Sequence, residues 1–227
     1  MGADSLINLH THTVYSDGDY TPEQIVEAAT RGNLTHIAIT DHFETSKVSS
    51  LRASEFNEYL DRLHDLGRRY SNVQVLAGVE IDTDPNRCDL DNLPVDMLNR
   101  LDLVLFEYVQ AKGGTTIEDL ESLLSRLKIP CGLAHNDLES NFRGISAQAL
   151  AEHLERHDLF VEINTAWPYR RDGLPFYELA KERFAAFRGR VRVSVGTDVH
   201  HTLNEVYNLE MPYRFVRHQG LEDDLLF

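Results

Sequence analysis

The sequence NLHTHTVYSDG at residues 8–18 determines how the rest of this chain is interpreted. Residues 6–9 are mostly apolar and indicate the end of a short buried strand, and His10 and His12 follow directly. Because side chains alternate along an extended backbone, these two imidazoles share one face at a spacing of about 7 Å and can bind one metal ion. Asp17 lies in a Ser-Asp-Gly turn, where its carboxylate can face the same cleft. A His-x-His pair by itself is equally compatible with surface or hydrogen-bonded histidines, so the interpretation depends on the remaining strands.

Composition narrows the possible functions. The chain has 227 residues, a formal net charge of -15 and no apolar run long enough to cross a bilayer. Residues 1–5 lack the basic start and apolar core of a signal peptide. We therefore expect one domain over residues 1–227, soluble and cytoplasmic, without a membrane partner. Long nucleic acid is not an expected partner, because binding its backbone needs clustered Lys and Arg; the sequence leaves the oligomeric state open.

Cysteine and histidine usage indicates which ligands a metal would find. The chain has two cysteines, Cys88 and Cys131, which are too few for a disulfide framework or a Cys-rich zinc site. Cys131 lies in an apolar run, which predicts a buried, inert thiol. Histidine occurs eleven times, so His, Asp and Glu are the expected ligands.

Short apolar runs alternate with helical patterns along the whole chain, without repeats or linkers. This alternation predicts an α/β fold in which seven strand-helix units close, or nearly close, a parallel barrel. The predicted strands are residues 6–9, 36–40, 73–79, 101–106, 131–134, 159–163 and 191–195.

Helix starts support the same alternation. Thr21 and Gln24 form a predicted capping box with Pro22 at the first helical position, and Thr115 with Glu118 forms a second box. Ser146 is a further predicted N-cap. Single helices are expected over about 54–70 and 175–187.

Several polar residues are expected to be ordinary surface groups. His64 is placed on the solvated face of its helix, and His153 and His157, although spaced for zinc on one helix, have no apparent third ligand. Asp82 and Asp84 belong to an acidic stretch that is expected to be a solvated loop.

The carboxyl ends of the predicted strands carry a recurring set of residue types. They are His10 and His12, Asp41 and His42, Glu80, Glu107, His135, Asn164, and Asp198 with His200. Simple capping of strands explains polarity, but Ser, Asn, Lys or Gly would serve equally well and would not produce His and carboxylates at nearly every end. Because these ends meet at one rim of a barrel, we predict a cluster of two or three divalent cations there.

Clustered cations favour displacement at phosphorus. One cation polarises the phosphoryl oxygen, and another lowers the pKa of bound water from about 15.7 toward about 7. We therefore expect a metal-bound hydroxide to attack a small phosphorylated substrate.

The motifs together resemble the PHP (polymerase and histidinol phosphatase) family over essentially the whole chain. They are HTHTVYSDG at 10–18 with its preceding strand, TDH at 40–42, GVE ending at Glu80, His135 after the fifth strand, and GTDVH at 196–200. The resemblance implies a distorted seven-stranded, TIM-like (β/α)7 barrel with a trinuclear site of zinc, manganese or iron.

The resemblance also implies a ligand set. His10, His12, Glu80 and Asp198 would hold one ion, and Asp17, His42 and His200 a second. Glu80 would bridge to a third ion that His135 also binds. Many members place a His shortly after the fourth strand, where this chain has none, so Glu107 is the candidate replacement and favours a harder metal such as manganese or iron, unless the third site is weak or empty.

Further roles follow from the resemblance and from charge. The EINT segment at 162–165 is similar to a loop that sends an arginine to the substrate phosphate in histidinol-phosphatase-like members, and Arg170, Arg171 or Arg143 would bind that anion here. Asp41 or His200 would protonate the leaving group. Histidinol phosphate is one candidate substrate.

Two alternatives remain. One is a nucleotide phosphatase or nuclease on the same scaffold, in which Trp167, Tyr169 or Tyr108 would stack on a base. The other is a non-catalytic metal-binding module, which the nearly complete ligand set disfavours.

Overall fold

Parallel strands form the sheet that carries the site in the computed structural model, which describes residues 6–227. The strands of this sheet are β1 (Ile7–Asn8), β2 (His36–Ile39), β3 (Gln74–Asp82), β4 (Leu103–Glu107), β5 (Cys131–Leu133), β6 (Leu159–Asn164) and, after the hairpin strands β7 (Arg170–Arg171) and β8 (Leu174–Pro175), β9 (Val193–Gly196). Their order in space is β1-β2-β3-β4-β5-β6-β9, and every neighbouring pair is parallel. The expectation about a leader segment rests on residues 1–5, which lie outside the described part of the chain.

The two ends of this sheet meet. The Leu9 amide donates to the Val195 carbonyl at 2.8 Å, and Thr11 forms a parallel bridge with Val199. The sheet is thereby nearly closed, which confirms the predicted seven-stranded parallel barrel. All five residues of β4 are buried, as expected for strands covered on both faces.

The helices connect successive strands, and the last helix follows the final strand. They are α1 (Pro22–Arg31), α2 (Phe56–Arg69), α3 (Val95–Leu98), α4 (Ile117–Leu124), α5 (Leu138–Asn141), α6 (Ala147–Arg156), α7 (Phe176–Leu179), α8 (Lys181–Phe187) and α9 (Glu210–Gln219). In α9, the Tyr213 hydroxyl accepts a hydrogen bond from the Ile7 amide at 2.6 Å, so this last helix is fastened to the start of β1. Within residues 6–227, none of the helices combines the length and the apolar character needed to cross a membrane.

Local capping confirms some predicted helix starts and corrects others. The Thr21–Gln24 capping box and the Ser146 N-cap are present. The second predicted box, Thr115 with Glu118, is wrong: the helix starts one residue later, with Thr116 as an N-cap that accepts from the Asp119 amide at 3.1 Å. The single helix expected over 175–187 is two helices, separated where Ala180 leaves helical geometry with φ -91° and ψ 19°.

The acidic stretch after β3 is also different from expectation. Asp82 is fully buried and Asp84 is 7% exposed, whereas both were expected in a solvated loop. Asp82 is the last residue of β3, where it accepts from the Thr45 hydroxyl at 3.2 Å and faces Arg87 at 3.4 Å. Pairing offsets the cost of burying such a charge. His64, by contrast, is exposed on α2 as predicted.

Candidate metal centre

Four side chains from three separate parts of the chain meet at the carboxyl ends of β1, β3 and β9. The Nε2 atoms of His10 and His12 are 3.0 Å apart, and Asp198 Oδ1 lies 3.3 Å from the first and 2.9 Å from the second. Glu80 Oε2 lies 3.4 Å from each of them. Four ligand atoms bound tetrahedrally at about 2.0–2.2 Å are about 3.4 Å apart. The spacing therefore fits one shared cation, and it brings together the first predicted ligand set.

A second group adjoins the first on its outer side. His200 Nε2 is 3.2 Å from Asp17 Oδ1, and His42 Nε2 is 3.8 Å from Asp17 Oδ2. His12 Nδ1 lies 3.8 Å from Asp17 Oδ1. Ligand-type atoms of these four residues all lie within 4.8 Å of one another. The second predicted ligand set is therefore also assembled in space.

Glu80 connects the groups. Its Oε2 atom faces His10 and His12 and is 3.2 Å from His42 Nδ1, while its Oε1 atom is 2.9 Å from His135 Nε2. A carboxylate that presents both oxygens to different ligand sets can bridge two ions. A third group, consisting of His42, Glu80 and Glu107, also has ligand atoms within 4.8 Å of one another.

Several buried polar atoms of the cluster have no hydrogen-bond partner in the protein. They include Asp17 Oδ1, His42 Nδ1, Glu107 Oε1 and Asp198 Oδ1. Buried polar atoms in native proteins are rarely left unpaired, because desolvation without a new bond costs about 1–3 kcal/mol each. Asp198 Oδ1 and Asp17 Oδ1 belong to the first and second ligand groups, so the residues of these two groups fit divalent cations.

Residues behind the ligands orient the imidazoles. The His10 Nδ1 atom is 2.9 Å from Glu162 Oε1, and His200 Nδ1 donates to the Asp198 carbonyl at 2.9 Å. A hydrogen bond at Nδ1 leaves Nε2 unprotonated and directed at the ion, and the carboxylate raises the basicity of its imidazole. Glu162 also accepts from the His135 amide at 2.6 Å. It therefore supports two ligands at once, a role that sequence reasoning missed although EINT drew attention to the segment.

Asp41 lies behind the cluster. It is fully buried, and it accepts from the Thr13 amide at 2.7 Å, the Thr13 hydroxyl at 2.7 Å and the Ser16 hydroxyl at 2.6 Å. These bonds fix the turn that presents His12 and Asp17. From the sequence, Asp41 or His200 was expected to protonate the leaving group. The contacts of Asp41 favour a positioning role instead, and those of His200 favour metal binding.

Backbone geometry aims two ligands into the cleft. His135 has φ 31° and Asp198 has φ 50°, and each lies two residues beyond the end of its strand. The backbone of a residue other than glycine is strained by about 1–3 kcal/mol in this left-handed region, and such strain is concentrated at functional sites. The strand ends thus depart from regular geometry where the ligands are needed.

Electrostatics in the metal-free protein follow from burial and neighbouring charge. Burial alone would lower the pKa of His12, but the nearby Asp198 and Glu80 carboxylates outweigh it and raise the pKa to about 10. Burial lowers the pKa of His42 to about 4, because the Glu80 carboxylate compensates only in part. Burial would raise the pKa of Asp17, yet His200 and His42 lower it to about 2. The cluster therefore holds excess negative charge that protons or cations must balance.

Lys47 is a cation within the site that the sequence did not reveal. Its Nζ atom is 2.8 Å from Glu107 Oε2 and lies 5.0 Å from the centre of the Tyr108 ring. Burial lowers the pKa of Lys47, but the Glu107 carboxylate reverses this and raises it above the usual range. Burial and the Glu80 carboxylate raise the pKa of Glu107. No motif in residues 43–55 marks this lysine, since only the packed loop brings it to Glu107.

The predicted phosphate-binding arginines lie outside the ligand groups. Arg171 forms an ion pair with Asp137 and contacts Ser140, which fastens the β7–β8 hairpin to α5. Arg170 is exposed, stacks over Trp167 at 5.0 Å from the ring centre and donates to the Gly173 carbonyl at 3.3 Å. Arg143 is exposed on the turn before α6. To bind the substrate phosphate, these arginines would have to move toward the ligand groups, or the substrate would have to extend to the arginines.

Tyr169 covers the cluster from the hairpin side. Its ring lies 3.8 Å from that of His135, with an angle of 5° between the planes, and its hydroxyl faces Asp198. Beside it, a pocket of about 200 Å³ includes residues next to the cluster. Its lining comprises Thr165, Ala166, Trp167, Arg170, Tyr177, Thr197, Glu205, Asn208 and Met211.

A metal-binding barrel with its ligands at the carboxyl ends of the strands is the class that fold and site define. The PHP domain matches residues 8–166, and the chain belongs to this family. It is similar to a probable phosphatase of Caldicellulosiruptor saccharolyticus, with 26% identity over 97% of this chain and 95% of that protein. Family and site confirm the enzyme class predicted from sequence, a hydrolase of phosphoric ester bonds.

Two further similarities extend the comparison. The chain is 31% identical to the DNA polymerase/3'-5' exonuclease PolX of Bacillus subtilis over 43% of this chain and 17% of that protein. The fold is similar to the crystal structure of histidinol phosphate phosphatase from Lactococcus lactis subsp. lactis, complexed with zinc, L-histidinol and phosphate. The TM-score is 0.66 at 15% identity, covering 96% of this chain and 94% of that one. This likeness confirms the fold.

Proposed function

We propose that this protein hydrolyses small phosphate monoesters with divalent cations held by the two complete ligand groups. The observation that carries the proposal is the pair of adjoining ligand groups, which share His12 and contain buried ligand atoms that lack partners in the protein. Zinc, manganese or iron fits this mixture of imidazole and carboxylate donors. Bound cations would polarise a phosphoryl oxygen and lower the pKa of coordinated water.

Different residues of the chain would bind the ions, orient the ligands and bind the substrate. His10, His12, Glu80 and Asp198 would hold one ion, and Asp17, His42 and His200 the other. Glu162 and Asp41 keep these ligands oriented. Tyr169 covers the cluster and limits access of bulk water, while Arg170 or Arg171 on the hairpin would bind the substrate phosphate.

The size of the pocket next to the cluster favours a small substrate. The pocket beside the hairpin has a volume of about 200 Å³, which is below the range of about 300–1,000 Å³ usual for drug-sized ligands. Histidinol phosphate is one candidate, because its ammonium and imidazole groups complement an acidic protein and Glu205 lines the pocket.

A nucleotide is the second candidate, and the Trp167–Arg170 pair favours it. Trp167 is 78% exposed, and its ring is held under a guanidinium at the edge of the pocket. Base–aromatic stacking contributes about 1–3 kcal/mol per base. Such a surface suits a mononucleotide or short oligonucleotide better than a long strand, since the net charge is -15.

A substrate panel tests the proposal. Protein loaded separately with zinc, manganese and iron would be assayed on histidinol phosphate, nucleoside 5'-monophosphates and bis(p-nitrophenyl) phosphate. Preferential turnover of a monoester supports the proposal, and the preferred monoester identifies the substrate class. Preferential turnover of the diester favours a nuclease, and failure with every substrate and metal favours a non-catalytic metal-binding module.

A further inference from the structure

The third ligand group differs from the other two because a lysine lies within it. His42, Glu80 and Glu107 bring ligand atoms within 4.8 Å of one another, yet Glu107 Oε2 is already paired with Lys47 Nζ at 2.8 Å. Glu107 is fully buried, while the Lys47 side chain keeps 26% of its surface exposed. An ammonium group this close to a carboxylate neutralises it and repels a second cation from the same place.

The loop that carries Lys47 is anchored to the barrel. The Lys47 amide donates to the Thr45 hydroxyl at 3.1 Å, and this hydroxyl donates to the Asp82 carboxylate at 3.2 Å. The Ser50 hydroxyl donates to the Thr45 carbonyl at 2.9 Å. These bonds tie the backbone of Lys47 to the end of β3, next to Glu80, so the ammonium is held at Glu107 and does not reach it by chance from solvent.

The carboxylates around Glu80 are stabilised by positive charge on this side. Glu80 and Glu107 are neighbouring carboxylates, both buried, and two such anions repel each other strongly in a low-dielectric environment. Within the described residues, Lys47 Nζ pairs with Glu107 Oε2 at 2.8 Å, while the His42 Nδ1 atom lies farther away, 3.6 Å from Glu107 Oε1. The alternative, a third divalent ion, would lie against this ammonium.

We propose that Lys47 replaces a third metal ion, so that the centre binds two divalent cations and the Lys47–Glu107 pair supplies the third positive charge. The role of this charge rests on the proposed function: it helps to hold a dianionic phosphate monoester next to the two ions. Lys47 thus contributes a positive charge to the substrate site. His135 then serves mainly to hold Glu80 Oε1 at 2.9 Å.

Metal counting tests this assignment directly. Wild type, Lys47→Met, Lys47→Arg and the exposed control Lys112→Met would each be loaded with excess manganese or zinc, dialysed, and analysed by inductively coupled plasma mass spectrometry. We expect two ions per chain in wild type, Lys47→Arg and Lys112→Met. Lys47→Met frees Glu107 and removes the repulsion, so its count should rise to three.

Two results would overturn the proposal: three ions in the wild type, or an unchanged count of two in Lys47→Met. The wild-type count stands even where a variant fails to fold. Because the readout is a metal count and not turnover, two ions in an inactive wild type would count against the phosphatase assignment and leave this inference supported.

Discussion

The inner cluster and the outer hairpin differ in almost every physical property. His10, His12 and Glu80 are at most 1% exposed and are held by hydrogen bonds from behind. The hairpin from Ala166 to Pro175 carries exposed Trp167 and Arg170 at the protein surface. Buried, cross-braced ligands fix a geometry, whereas exposed side chains on a short hairpin adapt to what binds. We therefore expect the cluster to determine the reaction and the hairpin to determine the substrate.

Removing an inner ligand should have the largest effect. His10→Ala removes one ligand of the four-atom group, and we expect loss of metal and a fall in kcat of about 10³-fold or more, because cation stabilisation contributes several kcal/mol to the barrier. The measurements are turnover and metal content, with circular dichroism for the fold. His64→Ala on the exposed face of α2 is the control. Equal behaviour of the two variants would refute the ligand assignment.

Acidification should weaken metal binding by the cluster without affecting the hairpin. In the metal-free protein the pKa of His12 is raised to about 10, so His12 is protonated below that pH and must lose its proton to bind an ion. Affinity for metal therefore increases as the pH rises toward 10, by about tenfold per pH unit for each proton released. Isothermal titration calorimetry at pH 6.0 and 7.5, in buffers of different ionisation enthalpy, measures both the affinity and the protons. An affinity that is the same at both pH values would contradict the predicted release of a proton from His12 on metal binding.

Disturbing the support behind the cluster should have an intermediate effect. Glu162→Gln removes the charge that pairs with His10 Nδ1 while preserving shape. We expect metal affinity to fall about 10–100-fold, as is usual when a carboxylate partner of a ligating His is lost. Competition with a chelator measures this, and Glu152→Gln on the exposed face of α6 serves as the control. An affinity unchanged in both variants would mean that Glu162 does not act through His10.

Changes in the hairpin should have the smallest effect and should act on binding alone. Trp167→Ala removes the exposed ring, so we expect KM for an aromatic substrate to rise about tenfold, corresponding to about 1.4 kcal/mol, with kcat and metal content unchanged. Steady-state kinetics on nucleoside monophosphates and on an aliphatic phosphate separate stacking from general damage. A fall in kcat with bound metal lost would show that the two regions are not independent.

Much of the fold followed from local patterns. The strands ending before His10, His42 and His135 were apparent from their apolar runs, and the Thr21 capping box from its spacing. The two-helix structure around Ala180 and the burial of Asp82 were not apparent. A short break in a helix leaves little trace in apolar periodicity, and an acidic run has the same composition whether it is solvated or paired with Thr45 and Arg87.

The ligand groups were also largely predictable, because parallel strands deliver their carboxyl ends to one rim. Their supporting residues were not. Glu162 lies inside a strand, and its use depends on Gly196, where a side chain would collide with Glu162 and approach His10 Cβ to 2.6 Å. That constraint exists only when β6, β9 and β1 are packed side by side.

The sequence by itself determined the parallel barrel, the family and most of the side chains that converge on metal, since strand periodicity and the order of motifs are properties of the chain alone. Only the tertiary structure decided which side chain balances which charge. It placed Lys47 on Glu107, Arg171 on Asp137 and Asp41 behind the turn, because ion pairing depends on distances of a few ångströms between loops remote in sequence.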